Sequence, residues 1–298
     1  MRAVKFLGRI LAGVLALAVV AIGGVYAQTQ FRIAQKAVPP TRPTLVVAHD
    51  SATIARGARL IRADGCEDCH TQDLGGQVMA DDPAFGRLVA ANLTSGDGGV
   101  GARYDDASLD AAIRDGVGWD GRKLIFMPSH EYAGMADNDV AAIIAQLRTV
   151  APVRRVLPKM RLGPIARGLM ATGRIVLLPN DEVDHARIPL AVAPSGGTVE
   201  QGAYLSSGCQ GCHGKDFGGG AIPGGPPGSK RAANLTPSGH VGQWTAADFI
   251  RAMREGVRAD GTKIDESMPW KAMGHMTDEE LQGVFKYLKT LPPKAARR

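Results

Sequence analysis

Hydrophobic positions along the chain follow helical spacing and are separated by long loops rich in glycine and proline. In the last such stretch, Leu281, Val284 and Leu288 fall at intervals of three and four residues, which places them on one face of a helix. Stretches of this kind predict helices over 52–63, 107–115, 137–149, 199–207, 246–255 and 278–290. We find no alternating pattern long enough to predict a β-strand, so the expected fold class is all-α.

Capping residues mark where several of these helices begin. Thr198 is the expected N-cap of the helix over 199–207. Thr245 with Asp248, and Thr277 with Glu280, have the spacing of capping boxes, in which each side chain bonds the backbone N–H of the other residue. The last two predicted helices therefore have well-defined first turns.

The second half of the chain repeats the first at an offset of 140 to 143 residues. Five short motifs recur in the same order: Cys-x-x-Cys-His at 66–70 and 209–213, Asp-Leu/Phe-Gly-Gly at 73–76 and 216–219, Ala-Asn-Leu-Thr at 91–94 and 233–236, Arg-Asp/Glu-Gly-Val at 114–117 and 254–257, and Met-Pro at 127–128 and 268–269. So constant an offset indicates domain duplication. We predict one domain over 45–150 and a second over 195–298.

The linker over 151–194 is predicted to hold a short basic amphipathic helix over 162–178 and an extended strap over 183–194. Packing between the domains is the favoured role of this helix, because most amphipathic helices dock on their own protein. Contact with a membrane surface is the alternative. His185, within the strap, is interpreted as a surface or interdomain residue.

The N-terminus carries basic residues followed by an uncharged apolar run over 10–27. Such a run is typical of an export signal, and it ends on a small residue, Ala27, as signal-peptide cleavage sites do. Its 18 residues also suffice to span a bilayer, with the N-terminus kept in the cytoplasm. Segment 1–27 is thus a transmembrane anchor, which we favour, or a signal peptide. Both place the tether over 28–44 and everything after it on the periplasmic side.

All four cysteines lie in the two Cys-x-x-Cys-His motifs, as Cys66, Cys69, Cys209 and Cys212. This motif is the attachment signature of c-type haem, in which both thiols bond the porphyrin and the following histidine, His70 or His213, is the proximal iron ligand. Zinc binding and dithiol redox chemistry are the alternatives for Cys-x-x-Cys. Zinc needs further ligands, and a redox dithiol does not need the histidine, so we predict two covalently bound haem c groups.

A low-spin electron carrier needs a second axial ligand, and methionine is the usual choice where a high potential is required. Met127 and Met268 lie 57 and 55 residues after their histidines, and each precedes a proline, which stops helix continuation. Competing candidates are Met79, His130 and Met135 in the first repeat and Met253, Met273, His275 and Met276 in the second. Only the Met-Pro pair recurs in fully matching context, so Met127 and Met268 are the predicted distal ligands.

The recurring Asn-Leu-Thr also fits a glycosylation sequon, which is too common by chance to carry weight. Because it recurs, we expect a structural role in a loop at the haem edge, such as a hydrogen bond from Asn92 or Asn234 to a haem propionate.

The set of repeated motifs, with its closing helix, resembles the class I cytochrome c subunits of membrane-bound bacterial dehydrogenases. The resemblance covers about 50–150 and 195–292 and implies two tandem cytochrome c domains with the ligands named above. The best-known members have three haem domains, so their three-haem electron routes do not transfer to this chain. The resemblance also implies that Tyr287 packs near Gly202 on the first helix, a contact in doubt in the first repeat, where Gln146 replaces the tyrosine.

This resemblance implies a non-catalytic role. Electrons would pass from a dehydrogenase acting on alcohols, aldehydes or sugar acids to a downstream acceptor, such as an oxidase, another cytochrome or a quinone-linked complex. A dihaem peroxidase is the alternative, since His130 beside Met127 could belong to a haem with a displaceable distal ligand. A dihaem sulfur-compound dehydrogenase would use a cysteine as distal ligand, and the sequence has no spare cysteine.

The net charge of +6 conceals an asymmetry between the repeats. Residues 45–150 carry 9 basic and 16 acidic side chains, whereas residues 195–298 carry 13 and 10. We see no basic face with a nucleic-acid-reading motif and expect no nucleic-acid binding. Either the two domains complement each other across their interface, or each steers a different redox partner. In the second case, charge reversal of exposed acids such as Asp105, Asp106 and Asp110 is expected to affect one partner only.

Overall fold

The computed structural model describes residues 2–222, 225 and 228–295. The predicted helical character is confirmed, with little sheet. The α-helices are α1 (Arg2–Ala34), α2 (Ser51–Ala63), α3 (Cys66–His70), α4 (Asp106–Asp115), α5 (Ser129–Tyr132), α6 (Asp137–Thr149), α7 (Pro164–Ala171), α8 (Val199–Leu205), α9 (Gln210–His213), α10 (Ala246–Glu255), α11 (Trp270–Met273) and α12 (Asp278–Thr290). Short 3-10 helices lie at Gly101–Arg103, Pro179–Glu182, Ser206–Cys209 and His240–Gln243. The strands are β1 (Gln77–Asp82), β2 (Gly86–Ala90) and β3 (Arg161–Leu162).

The predicted caps form and set the helix boundaries. Thr198 caps α8 through its side chain, and the two capping boxes, Thr245 with Asp248 and Thr277 with Glu280, are both present. Consequently α10 and α12 have the bounds that the sequence predicts, and α6 has its predicted bounds without a side-chain cap at Ala136. The helix predicted over 199–207 ends at Leu205, where the chain tightens into a 3-10 turn that leads to Cys209.

In each repeat the first and last long helices cross at a glycine. A Cβ at Gly202 of α8 would lie 1.9 Å from the carbonyl oxygen of Gly283 and 2.8 Å from the Cβ of Tyr287, both in α12. The expected Tyr287–Gly202 contact is therefore present. Gly57 of α2 approaches α6 as closely, with Gln146 Cβ at 2.9 Å from the same hypothetical atom. The crossing in the first repeat thus forms without an aromatic ring.

Each sequence repeat encloses its own hydrophobic core. The core of the first repeat is built on α2, α4 and α6, and that of the second on α10 and α12, with fully buried residues such as Ile144 and Leu281 at their centres. Leu205 of α8 also packs against the second core, so three equivalent helices contribute to the core of each repeat.

A small antiparallel sheet in the first repeat corrects the expectation that the chain has no strands. β1 pairs with β2, and β2 pairs with β3 of the linker. The sequence pattern did not predict these strands for two reasons. β3 has only two residues, and a register irregularity between Val78 and Ala80 interrupts the alternation along β1.

The linker packs on the first repeat and on α1. The helix predicted over 162–178 is shorter than expected, since α7 stops before Gly173, which has a φ of 67°. Ala166 and Met170 of α7 are buried in a third cluster together with Leu88 of β2. The helix therefore docks on its own chain, as favoured, although it does not lie between the repeats.

Helix α1 is long and apolar enough to cross a membrane over Lys5–Ala34. Its C-terminal end docks on the linker. Arg167 of α7 donates a hydrogen bond to the buried Thr29 at 2.7 Å, and its guanidinium lies 4.8 Å from the centre of the Tyr26 ring. Arg32, one helical turn further on, pairs with Asp181 at 2.9 Å.

The tether over 28–44 also packs on the first repeat. Its contacts overturn the expectation that Asp110 is exposed. Arg42 forms two hydrogen bonds to the buried carboxylate of Asp115, at 2.6 and 2.8 Å, and His185 Nδ1 lies 3.3 Å from the same group. Asp110, which we expected to be exposed, is buried beside Arg42 and Arg114. Its charge is neutralised by these two arginines, so it is no part of an acidic surface.

The two repeats contact each other through equivalent positions. Arg59 of α2 pairs with Glu280 of α12 at 2.6 Å, and Tyr204 of α8 donates a hydrogen bond to Asp139 of α6 at 2.7 Å. Arg59 and Tyr204 each lie two residues after a crossing glycine, and the two acids are each the third residue of the last helix. Reciprocal contacts of this kind are those of a twofold axis, so the repeats are related by pseudo-twofold symmetry.

Candidate functional site

The attachment segment of the first repeat is α3, which contains Cys66, Cys69 and His70. It follows Gly65, whose φ of 70° permits the sharp turn out of α2. His70 Nδ1 lies 2.8 Å from the carbonyl oxygen of Ala91. Because a carbonyl can only accept a hydrogen bond, Nδ1 carries the proton, and the lone pair of Nε2 is left for a metal.

The second repeat has the same arrangement. His213 Nδ1 lies 2.7 Å from the carbonyl oxygen of Ala233. Burial lowers the pKa of both imidazoles, which favours the neutral form that binds metals. Sequence reasoning missed these carbonyl partners, although the alanine before Asn-Leu-Thr recurs in both repeats and was the available signal.

The Asn-Leu-Thr motif holds these carbonyls in place. Asn92 Oδ1 accepts hydrogen bonds from the N–H and hydroxyl of Thr94, at 3.0 and 2.8 Å, and Asn92 Nδ2 donates to the Val153 carbonyl at 2.8 Å. Asn234 donates in the same way to the Lys294 carbonyl at 2.7 Å. The side-chain amides thus fix the loop, which confirms the expected structural role, and the hydrogen bond to a haem propionate stays a prediction.

The chemistry of the thiols argues against the two alternatives to haem. Burial raises the pKa of all four cysteines, whereas a redox dithiol depends on a lowered thiol pKa. Within residues 2–222, 225 and 228–295, no group of three or more His, Cys, Asp or Glu side chains could hold a metal ion, which does not support zinc.

An apolar cavity opens beside the second attachment segment. Its empty volume is about 780 Å³, open mouth included, and its walls carry Cys209, His213 and Met268 together with core residues such as Leu235 and Phe249. A porphyrin needs an apolar cleft with a histidine on one wall and a second ligand within reach. The residues present therefore fit a covalently attached haem, held by Cys209 and Cys212, with His213 and Met268 as available axial ligands.

Three competing methionines, Met253, Met273 and Met276, line the same cavity. The structure places Met268 in the cavity wall together with these three methionines, so its assignment as the distal ligand stays a prediction. In the first repeat Cys66 and Met127 pack against one core, and Met135 packs there too.

Two further residues of the cavity wall, His240 and Arg258, were missed by sequence reasoning. Arg258 follows the repeated Gly-Val, where the first repeat has Gly118, so an alignment of the repeats offered no signal for it. A guanidinium such as that of Arg258 forms strong charge-assisted hydrogen bonds with a carboxylate at the edge of a bound group.

The repeated arginine closes the loop that carries Met-Pro. Arg114 donates a hydrogen bond to the Met135 carbonyl at 3.1 Å, and Arg254 donates to the Met276 carbonyl at 2.7 Å. Each arginine also pairs with the first residue of the last helix at 2.8 Å. These contacts explain why Met135 and Met276 align, since their backbone carbonyls are the anchor points.

Residues 199–292 match the family model of cytochrome c. This part of the chain is a cytochrome c domain. The cytochrome c domain spans α8 to α12 and contains the second attachment segment, the cavity and Met268.

Most of the chain is similar to known cytochrome proteins. The cytochrome c subunit of the quinone alcohol dehydrogenase of Komagataeibacter europaeus is 28% identical over 286 residues, which cover 82% of this chain and 57% of the relative. The fructose dehydrogenase cytochrome subunit of Gluconobacter japonicus is 28% identical over 284 residues, covering 86% and 56%. A diheme cytochrome c-type protein of Cereibacter sphaeroides is 27% identical over 268 residues, covering 80% and 86%. The predicted resemblance to dehydrogenase cytochrome c subunits is confirmed, and the chain spans a little over half the length of those subunits.

Proposed function

We propose that the chain carries two covalently attached c-type haems and relays electrons from a membrane-bound or periplasmic dehydrogenase to a respiratory acceptor. Residues 45–150 would form a first cytochrome c domain and residues 195–298 a second. In each, the cysteines attach the haem, the histidine is the proximal ligand and Met127 or Met268 is the distal ligand. The bound haem supplies one-electron redox chemistry.

One observation carries this proposal: the pairing of histidine with a backbone carbonyl occurs twice, at equivalent positions. A single His Nδ1–carbonyl contact is common in proteins. Two of them, at 2.8 and 2.7 Å, each within a Cys-x-x-Cys-His segment, are what a duplicated proximal-ligand site requires. The similarity to a diheme cytochrome along 80% of this chain supports the count of two.

The count is tested by the intact mass of the protein matured in a host that attaches c-type haem. We expect a mass increase of two haems for the wild-type chain. The double variants Cys66→Ala/Cys69→Ala and Cys209→Ala/Cys212→Ala should each carry one, and peptide mapping should find it on the remaining motif. A wild-type chain with a single haem would overturn the dihaem proposal.

Electron relay and peroxidase activity are separated by two measurements on the same preparation. The relay proposal expects rapid reduction of both haems by a quinone-dependent dehydrogenase with its substrate, and no significant peroxide turnover. Alcohol, aldehyde and sugar-acid dehydrogenases should be compared as donors. Catalytic consumption of peroxide, with slow reduction by every donor, would favour the peroxidase.

We also propose that α1 stays attached and anchors the chain at the periplasmic face of the inner membrane. Ala27 lies inside a continuous helix whose following residues are docked on α7 and the linker. Cleavage after Ala27 would detach Tyr26 from Arg167. Mass analysis of the N-terminal peptide of membrane-extracted protein decides the point, since a mature N-terminus at Gln28 would contradict an anchor.

A further inference from the structure

The short helix α5 lies between the two attachment segments. It follows Met127-Pro128 directly and belongs to the first repeat. On one side, the hydroxyl of Tyr132 donates a hydrogen bond to the Asp64 carbonyl at 2.9 Å, just before Cys66. On the other side, α5 packs on the 3-10 turn Ser206–Cys209, and Glu131 faces the second motif. One helix of the first repeat therefore contacts the cysteine segments of both repeats.

Glu131 approaches the second motif very closely. A Cβ placed on Gly211, between Cys209 and Cys212, would lie 2.5 Å from Glu131 Oε1. Gly211 therefore places no side-chain atom between the backbone of the motif and this carboxylate, which is the far end of a flexible side chain.

This carboxylate is not neutralised by a neighbour. In the part of the chain that the structure describes, no salt bridge or side-chain hydrogen bond is recorded for Glu131, although it is partly buried. The second motif, Cys-Gln-Gly-Cys-His, contains no acid, whereas the first contains Glu67 and Asp68. The first repeat, through Glu131, thus supplies the second motif with a negative charge comparable to those of Glu67 and Asp68.

The pseudo-twofold symmetry shows that this contact is not reciprocated. The position equivalent to Glu131 in α11 is Ala272, which carries no charge toward the first repeat. Arg59–Glu280 and Tyr204–Asp139 preserve the symmetry of the interface, whereas Glu131 and Ala272 break it. A difference at one such position makes the charge around the two attachment segments unequal.

We propose that Glu131 of the first repeat is a positioning residue for the second haem site, where its uncompensated carboxylate lowers the reduction potential of the haem attached to Cys209 and Cys212. A negative charge close to the iron favours the ferric form, and the attraction is strong in a partly buried, low-dielectric position. The inference rests on the proposed two-haem function. Under this proposal, a residue at the interface between the two repeats makes the reduction potentials of the two haem sites differ, although both sites have the same ligands.

The test is spectroelectrochemical titration of the two-haem protein, wild type against Glu131→Gln, at a pH of about 8. Burial raises the pKa of the Glu131 carboxyl, so the comparison is made on the alkaline side of neutrality. The component that belongs to the second repeat is identified with Met268→His, because replacing an axial methionine by histidine lowers the potential of that haem alone. Glu200→Gln is the matched control, an exposed acid of α8 with the same change of charge.

We expect Glu131→Gln to raise the midpoint of the second-repeat component, to leave the first-repeat component within error, and to leave the thermal unfolding midpoint unchanged. Glu200→Gln should move neither potential. Equal shifts of both components, a shift confined to the first, or no shift at all would each overturn the role of Glu131. A wild-type protein with only one haem by mass would instead overturn the proposed function, so the two failures are distinct.

Discussion

The crossing of α8 and α12 at Gly202 offers the sharpest test of how the helices position the second site. Gly202→Ala adds one methyl group to α8. That atom would lie 1.9 Å from the Gly283 carbonyl oxygen and 2.4 Å from its carbonyl carbon. Both obstacles are backbone atoms of α12, so no change of side-chain rotamer can relieve the clash, and the helices must move apart.

The size of the effect follows from the geometry. A normal C–H···O contact is about 3.3 Å, so α8 and α12 must separate by roughly 1.4 Å at the crossing. A gap of 0.5–1 Å already forfeits about a quarter to a half of the dispersion energy of the atoms it separates. Overpacked cores typically lose ~1–3 kcal/mol, and a backbone-on-backbone clash belongs at the upper end. We therefore expect Gly202→Ala to lower the free energy of unfolding by about 3 kcal/mol.

The assay is denaturant unfolding of the matured protein, followed by far-ultraviolet circular dichroism. Gly57→Ala should behave alike in the first repeat, where the added atom would lie 1.9 Å from the Ala142 carbonyl oxygen. Gly168→Ala in α7 is the matched control, because nothing lies within 4 Å of its added atom. It should be neutral or stabilise by up to about 1 kcal/mol. If Gly202→Ala unfolds at the same denaturant concentration as the wild type, the crossing is not as close as described.

Three further predictions concern ligands, charge and pH. Met127→Ala and Met268→Ala should each remove about half of the sulfur-to-iron absorption band of the ferric protein; if neither changes the band, the distal ligands are wrong. Asp68→Lys, which reverses an exposed charge beside the first attachment site, should change the association rate with one redox partner at low salt and spare the other; equal effects on both would refute separate docking by the two repeats. Burial, reinforced by Asp139 and Glu280, raises the pKa of Asp64 to about 7, so the folded protein holds this proton more tightly than the unfolded chain, and stability should fall as pH rises from about 4 to about 7. Asp64→Asn should flatten that fall in unfolding experiments across the range, and an unchanged pH profile would contradict the assignment.

The sequence predicted the helices well where local signals determine them. The capping boxes at Thr245 and Thr277 depend on residues three apart, and both form. The sheet and the docking of α1 could not be predicted in this way. β3 becomes a strand only because it meets Gly86 of β2, and Arg167 reaches Thr29 only because α1 ends beside α7. Both contacts join segments more than 70 residues apart, and no local pattern records them.

The residues of the candidate site also fall into two groups, those that local sequence signals reveal and those that only the fold reveals. Cysteine, histidine and Met-Pro are chemical signals within short motifs, so sequence reasoning reached them. The carbonyls of Ala91 and Ala233 are backbone groups, so the identity of the side chain says almost nothing about their role. Their positions are visible only once the chain is folded, as is the use of Asn92 to fix a loop.

Duplication explains why the departures from symmetry are informative. The two repeats share their helix crossings, their histidine–carbonyl contacts and their arginine-closed loops, so these features define the site itself. What differs must account for any difference between the sites. Among the residues that the structure describes, the sheet lies in the first repeat and the linker, the first repeat receives Arg42 of the tether that follows α1, and its Glu131 places a carboxylate on the motif of the second repeat. If α1 is an anchor, the first repeat is the one tied directly to it, and the second repeat is held to the anchor only through its contacts with the first, Arg59–Glu280 and Tyr204–Asp139.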